Sequence, residues 1–181
     1  MIYLFLADGF EECEAFAPLD ILRRADVNIK TVGVSGEYVT GSHGICVKAD
    51  IKPCEVLLND DLQGVILPGG LPGAVNLEND SKVQAAIDYA AENNKLVCAI
   101  CAAPQILGHK NLLGGKKATC FPGFENELYG AEYIKASTVK DGNFITACGA
   151  GAAFDFGFKI LETVKNKEIS ENLRKQMQFD V

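Results

Sequence analysis

The chain has 181 residues, of which 48% are hydrophobic and 23% charged, with a formal net charge of −7 at pH 7. This balance indicates a folded globular protein with a sizeable core and argues against a disordered chain. The acidic charge, without any basic block, argues against nucleic acid and anionic membranes as partners, and no apolar stretch is long enough for a membrane span.

Apolar runs and amphipathic stretches alternate along the sequence, which begins with a predicted strand rather than a signal peptide. Strands are predicted at 2–7, 28–34, 64–67, 96–100 and 118–120, with hairpins over 41–48 and 139–144. Helices are predicted at 12–25, at 53–58, from Ser81 as the cap to 93, after Pro104, at 152–165 and at 170–178. This order predicts an α/β three-layer sandwich, a mostly parallel sheet with helices on both faces. Without repeats or linkers, we predict one domain over 1–181.

Seven cysteines form an odd set in a chain too large for a disulfide mini-protein, so we predict reduced thiols and a cytoplasmic location. Cys98 and Cys101 form a C-x-x-C string. Their predicted strand would separate the two Cα atoms by about 10 Å, beyond the limit of about 7 Å for a disulfide. Alternation along the strand also directs them to opposite faces. We therefore predict neither a redox pair nor a metal chelate at these two positions.

Cys101 is the strongest candidate for chemistry because it directly follows the apolar run 96–100, and Pro104 fits the first turn of a helix. At such a corner, unpaired N–H groups and the helix dipole are expected to lower the pKa of a thiol. A thiolate held there can attack carbonyls or react with peroxide. The alternative is an inert buried cysteine, a common fate of this residue type.

The carboxyl ends of parallel strands form the usual ligand edge of such a sheet. The predicted loops at that edge are 7–11, 68–70, the Cys101 corner and 148–151. Among Glu11, Glu12 and Glu14, one carboxyl is expected to turn inward towards the thiol. Its pKa would then be raised by burial and like charge, making it a proton donor or shuttle. The N–H groups of Gly70 and Ala102 are candidates for an oxyanion hole.

The two histidines offer no Cys–His dyad by spacing. His109 is predicted to be a cationic cap at the end of its helix, and His43 to be a surface residue in a Gly-Ser-His-Gly turn. Nucleotide, dinucleotide, zinc and Gly-x-Ser-x-Gly patterns are missing from the sequence. We predict neither a cofactor nor a metal.

Several motifs follow one another along the chain: Glu11-Glu12-Cys13-Glu14, Pro18-Leu19-Asp20-Ile21-Leu22-Arg23-Arg24, Leu67-Pro68-Gly69-Gly70, Ala99-Ile100-Cys101-Ala102-Ala103-Pro104, and Gly149-x-Gly151 before Phe154-Asp155-Phe156. Their order resembles the ThiJ/PfpI superfamily, in the branch of the Parkinson-disease protein deglycase and its bacterial relatives. The resemblance implies a flavodoxin-like sandwich, usually a homodimer. It maps the nucleophile onto Cys101, its partner onto Glu14, and the anion-stabilising amides onto Gly70 and Ala102.

The chain departs from the family pattern at three places that bear on the predicted pocket. Phe121, before Pro122, stands where some members have a histidine. Cys148 begins the loop 148–151, so the pocket wall is less polar and holds a second thiol. His43 stands where relatives place an arginine that reaches the partner subunit. Together with Gly69, these residues are our predicted pocket.

The leading functional hypothesis, implied by this resemblance, is a cofactor-independent cysteine enzyme. Its substrates would be reactive dicarbonyls such as methylglyoxal and their early glycation adducts, as in glyoxalase III and deglycases. The alternative is a redox-sensing stress protein or chaperone, since an accessible thiol with a low pKa oxidises readily. A protease or amidase is a third hypothesis, disfavoured because no histidine is placed beside Cys101. A protein without chemistry is the fourth.

Overall fold

The computed structural model describes residues 1–179, and a six-stranded sheet lies at its centre. The strands are β1 (Ile2–Leu6), β2 (Ile29–Gly33), β3 (Tyr38–Thr40), β4 (Cys46–Lys48), β5 (Gly64–Leu67), β6 (Leu96–Ile100), β7 (Lys117–Ala118), β8 (Glu132–Tyr133), β9 (Thr138–Asp141) and β10 (Phe144–Ala147). The helices are α1 (Glu12–Arg24), α2 (Gly73–Asn79), α3 (Ser81–Glu92), α4 (Pro104–His109), α5 (Ala153–Val164) and α6 (Lys167–Gln176).

The central sheet has the strand order β2-β1-β5-β6-β10-β9, and only the edge strand β9 runs antiparallel to its neighbour. The register pairs Leu67 with Ala99 and Ala147 with Ile100. The carboxyl ends of β5, β6 and β10 therefore meet at one edge of the sheet. Two small sheets, β3-β4 and β7-β8, lie outside this layer.

Alternation along the strands builds a core on each face of the sheet. On β1, Leu4 packs into one cluster, which also holds side chains of α1, α5 and α6. Its neighbour Phe5 packs into the other cluster, with side chains of α2, α3 and α4. A strand buried on both faces has no polar side, which is why its sequence is a continuous apolar run. The predicted three-layer α/β sandwich is confirmed.

Helix α1 carries one side of the candidate site, and its position is fixed by close packing on α5. A Cβ on Gly157 of α5 would lie 2.7 Å from Ile21 Cδ1 and 2.9 Å from Pro18 Cα. Glycine therefore lets the two helices approach to backbone contact. The residues one turn before Pro18, including Glu14, are thereby held against the sheet.

Several predicted boundaries need correction. The helix predicted at 53–58 is a single 3-10 turn over Pro53–Glu55, and α2 was not predicted. The cap of α3 is Asp80, whose carboxylate accepts the N–H groups of Lys82 and Val83, whereas Ser81 is the first helical residue. The last helix begins at Lys167 because Asn166 caps it. The strand predicted at 118–120 covers only Lys117–Ala118.

Within the described residues, no helix is both long and apolar enough to cross a bilayer.

His109 ends α4, as predicted, but it binds side chains rather than only facing the helix dipole. Its Nε2 lies 2.9 Å from Glu127 Oε2, its Nδ1 is paired with Glu78, and its ring lies 5.0 Å from that of Tyr129. The hydrogen bond with Glu127, opposed by partial burial and supported by Glu78, raises the pKa of His109. A protonated imidazole therefore joins α2, α4 and the turn Glu125–Glu127.

We expect His109→Gln to destabilise the protein by about 1 kcal/mol in mildly acid solution, since solvent screening keeps a partly exposed pair weak. The contribution is full below about pH 6.5, where the unfolded histidine is also charged. It is lost as pH rises through the raised pKa of the folded protein. Urea unfolding of both proteins at about pH 6 and about pH 9 measures this difference. An equal difference at both pH values would contradict the prediction.

Candidate functional site

Cys101 lies on the elbow between the end of β6 and the start of α4. Its φ is +65°, in the left-handed region that non-glycine residues rarely adopt. The conformation costs on the order of 1–2 kcal/mol, and two backbone hydrogen bonds hold it. The Cys101 N–H donates to Ala147 O at 2.9 Å, and its carbonyl accepts the N–H of Phe121 at 2.8 Å. In α/β-hydrolases, a strained strand-to-helix turn of this kind presents the nucleophile.

Glu14 is the glutamate of α1 that turns inward. It is 1% exposed, its Oε2 accepts the N–H of Gly69 at 2.8 Å, and its carboxyl lies beside the Cys101 side chain and affects its ionisation. Glu11 instead caps α1 by accepting the N–H of Glu14 at 2.8 Å. Glu12 is bound to His43. The three neighbouring carboxylates therefore have three different partners, and the choice left open by the sequence falls on Glu14.

Gly69 is the reason why Glu14 and Cys101 can meet. A Cβ at this position would lie 2.7 Å from Cys101 Cβ and 2.7 Å from Glu14 Oε2. Gly70 follows with a φ of +87°, and a Cβ there would lie 2.5 Å from the Glu11 nitrogen. The segment Pro68-Gly69-Gly70 after β5 therefore needs both glycines. Gly69 leaves space for the two side chains, and Gly70 supplies both the positive φ and the space.

We expect Gly69→Ala to separate the thiol from the carboxyl. The displacement should destabilise the protein by about 1–3 kcal/mol and lower turnover about 100-fold, because catalytic groups tolerate little misplacement. Gly114→Ala is the matched control, since its nearest neighbour would be Asn111 O at 3.9 Å. Thermal unfolding and kcat of both variants test the expectation. Unchanged turnover in Gly69→Ala would contradict it.

The electrostatics correct the expectation of a thiol with a lowered pKa. Burial, followed by the charge and hydrogen bond of Glu14, raises the pKa of Cys101 to about 12, although the N–H groups of Ala102 and Gly70 act to lower it. Burial likewise raises the pKa of Glu14 to about 7, against the hydrogen bonds from Cys101 and Gly69. Near neutral pH the pair is therefore a thiol beside a carboxyl that readily gains or loses a proton.

The predicted pocket residues differ in how closely they approach Cys101 and Glu14. The ring of Phe121 lies 3.2 Å from where a Cβ on Gly149 would sit, and its N–H binds Cys101, so it stands at the site. Cys148 directly follows Ala147, the acceptor of the Cys101 N–H, and Pro122 is exposed beyond Phe121.

His43 lies in the turn between β3 and β4, where its contacts are carboxylates of α1 rather than Cys101. Its side chain is 70% exposed, and its Nδ1 lies 2.8 Å from Glu12 Oε2. Burial opposes ionisation of Glu12, but the hydrogen bonds from His43 lower the pKa of Glu12 to about 2. Glu11, Glu12 and His43 offer three possible metal-ligand atoms within 4.8 Å of one another. The pairing of His43 with Glu12 explains this arrangement without an ion.

Two cavities lie away from the thiol. One, of about 600 Å³, is lined by Met1, Asn28 and Gln63 at the amino ends of the strands. The other, of about 330 Å³, lies by α5 and α6. The arrangement of acid–base groups at the carboxyl edge, rather than cavity size, therefore identifies the site.

This fold and this site define a class of α/β sandwich proteins, with a cysteine on a strand-to-helix elbow and a buried glutamate facing its thiol. The model of the DJ-1/PfpI family matches residues 1–163. The chain belongs to that family, and the predicted resemblance is confirmed.

Two relatives and one solved structure match this chain over most of their own length. Protein dj-1beta of Drosophila melanogaster is 34% identical over 175 residues, which span 95% of this chain and 93% of the relative. A deglycase of Pyrococcus abyssi is 30% identical over 149 residues, or 81% and 88% of the two chains. The solved structure of oxidized Toxoplasma gondii DJ-1 has a TM-score of 0.94 at 30% identity and covers 99% of this chain and 98% of that one. The flavodoxin-like fold is therefore confirmed.

Proposed function

We propose that this protein is a cofactor-independent enzyme that converts reactive dicarbonyls, and their early adducts with amines and thiols, into hydroxy acids. The buried Glu14 carboxyl, which lies beside the Cys101 side chain where Gly69 leaves space for both, is the observation that carries the proposal. A carboxyl whose pKa is about 7 can take and return a proton at neutral pH. The deglycase of Pyrococcus abyssi supports the substrate class.

In the proposed reaction, ionised Glu14 removes the thiol proton as the Cys101 sulfur attacks the aldehyde carbon of methylglyoxal. The new C–S bond leaves an oxyanion, which the N–H groups of Gly70 and Ala102 stabilise until it is protonated. Glu14 then moves a proton from the hemithioacetal carbon to the neighbouring carbonyl carbon. The hydroxyl proton of the first carbon passes to the oxygen of the second, which gives the thioester of lactate. Water attacks this thioester, and lactate and the free thiol are released.

A glutathione-free assay tests the proposal. Lactate should form from methylglyoxal with the wild type and should be nearly abolished by Cys101→Ala. A second arm starts from methylglyoxal already condensed with an amine. If lactate forms faster than the adduct releases free methylglyoxal, the enzyme acts on the adduct itself, which would support deglycase activity. If the rate of lactate formation equals the rate of that release, the activity is restricted to the free dicarbonyl. Equal turnover by wild type and Cys101→Ala would overturn the proposed mechanism.

A redox-sensing role is the second candidate, and the partial exposure of Cys101 favours it. Protonated Glu14 would donate a hydrogen bond to an oxygen of a Cys101 sulfinic acid. Mild peroxide should then add two oxygens to Cys101 before oxygen is added to the other cysteines, as peptide mass analysis would show. Oxygen addition spread over Cys13 and Cys46 would count against this role.

A protease role finds no support, because both histidines have carboxylate partners elsewhere. His109 is paired with Glu78 and Glu127, and His43 with Glu12. A Cys101 protease would need one of them beside the thiol as a base.

We also propose that the protein is a cytoplasmic homodimer of one-domain subunits. The apolar side chains of Ile45, Leu71 and Val75 are exposed on the hairpin and helix next to the start of α1. All seven cysteines are free, which suits a reducing compartment. Light scattering with size-exclusion chromatography tests the dimer, and Leu71→Glu should shift it towards monomer. A wild-type monomer at micromolar concentration would contradict this expectation.

A further inference from the structure

Two more thiols lie beside the elbow, and the proposed reaction uses neither of them. Cys120 follows β7 and is completely buried, whereas Cys148 follows β10 and is partly exposed. Both are free. The two cysteines are 28 positions apart in the sequence, so only the fold brings their segments together.

The residues on either side of Cys120 contact the segment that contains Cys148. The N–H of Thr119 donates to Thr146 Oγ1 at 2.9 Å. The ring of Phe121 lies 3.2 Å from the Cβ position of Gly149. Cys120 lies between Thr119 and Phe121, and Cys148 lies between Thr146 and Gly149. The two segments therefore run side by side at the cysteines. An electrostatic effect supports this placement: burial, then the charges of Glu125 and Cys148, raise the pKa of Cys120 to about 12.

The same two segments hold the backbone of Cys101. The carbonyl of Cys101 accepts the N–H of Phe121, the residue after Cys120, at 2.8 Å. Its N–H donates to the carbonyl of Ala147, the residue before Cys148, at 2.9 Å. A covalent link between Cys120 and Cys148 would therefore join the two supports of the strained elbow.

We propose that Cys120 and Cys148 form a reversible disulfide when the protein meets a hydroperoxide, and that this link fixes the wall of the site beside Cys101. The partly exposed partner, Cys148, reacts before the buried Cys120: its sulfur takes one oxygen from the hydroperoxide, which leaves as an alcohol or water, and becomes a sulfenic acid. The Cys120 sulfur then attacks the sulfenic sulfur. An S–S bond forms, and the hydroxyl leaves as water with the Cys120 proton. A dithiol reductant reverses the step.

Peptide mapping of the wild-type protein under non-reducing conditions tests this proposal. After brief treatment with hydrogen peroxide, the peptides containing Cys120 and Cys148 should be found joined, about 2 Da lighter than the sum of the free thiols. Dithiothreitol should restore both peptides. In Cys120→Ser the joined species should disappear, and Cys148 should carry oxygen instead. The exposed Cys54 serves as the matched control, since Cys54→Ser should leave the link unchanged.

Two results would overturn the inference. One is that both peptides stay in the thiol form at a dose that oxidises Cys46 and Cys54. The other is that Cys148 is found joined to Cys101 rather than to Cys120. The mass readout requires no turnover, so a failure here leaves the proposed enzyme intact, and an inactive enzyme leaves this test valid.

The influence on Cys101 is measured separately, by its rate of alkylation with iodoacetamide. Peroxide followed by its removal should change that rate severalfold in the wild type but not in Cys120→Ser. An equal change in both proteins would show that the disulfide does not act on the elbow.

Discussion

Cys101→Ser is expected to lower kcat/KM for methylglyoxal by at least about 1,000-fold, because it removes the atom that forms the covalent intermediate. A hydroxyl at this position keeps the size of the thiol, but it is far less acidic. Glu14, with a pKa of about 7, is a sufficient base for a thiol attacking a carbonyl and a poor base for an alcohol. The amide groups of Gly70 and Ala102 remain, so weak substrate binding should persist.

The structural cost of this substitution should be small, which makes the kinetic result interpretable. Serine is nearly isosteric with cysteine and can donate the same hydrogen bond to Glu14, so the melting temperature should stay close to that of the wild type. Cys54→Ser, at an exposed cysteine in the turn Pro53–Glu55, should retain full activity. Retention of more than about a tenth of wild-type kcat/KM by Cys101→Ser would rule out covalent catalysis at this residue.

The layers of the fold could be predicted from the sequence because they follow from local patterns. Continuous apolar runs such as Leu96–Ile100 mark strands that are buried on both faces, and alternation with amphipathic stretches indicates a parallel sheet. The predicted helix boundaries were wrong where a capping side chain determines the first residue of the helix. Asp80 and Asn166 fix the helix starts through side-chain hydrogen bonds that no hydrophobic period records.

The position of the candidate site could be predicted from the sequence, but the backbone conformation and the pKa of Cys101 could not. The strand-to-proline spacing places Cys101 on an elbow. Its φ of +65°, however, depends on backbone hydrogen bonds that it donates to Ala147 and accepts from Phe121, which are distant in sequence. The raised pKa of the thiol has the same origin. Dipole and amide arguments are local and predict a lower pKa, whereas burial and the Glu14 carboxyl are properties of the tertiary fold and are larger.

The raised pKa of Glu14 and its position beside Cys101 together explain how a thiol with a raised pKa can serve the proposed reaction. The carboxyl and the thiol hold one mobile proton between them, and Gly69 gives both groups the space to meet. Ionisation of the thiol is therefore coupled to attack on substrate rather than completed beforehand. In the proposed reaction the sulfur stays protonated and less reactive until a carbonyl is bound.

Glu14→Gln is expected to lower kcat about 100- to 10,000-fold, because the amide cannot exchange the proton. The pH profile should change with it. Wild-type activity should fall as pH drops below about 7, where Glu14 becomes protonated, and this acid limb should be absent from the residual activity of the variant. Glu132→Gln, at an exposed position of β8, is the matched control and should keep both the rate and the limb.

The same substitution should stabilise the fold. Burial raises the pKa of Glu14 from 4.5 to about 7, so ionising it costs the folded protein about 3 kcal/mol relative to the unfolded chain. This cost is absent below pH 4.5, grows as pH rises through the interval, and is complete above about pH 7. Glutamine stays neutral and can still accept the N–H of Gly69. Urea unfolding should therefore give Glu14→Gln up to about 3 kcal/mol more stability near pH 8 and little difference near pH 4.5. A variant that is inactive and also less stable at about pH 8 would show that Glu14 supports the fold rather than the chemistry.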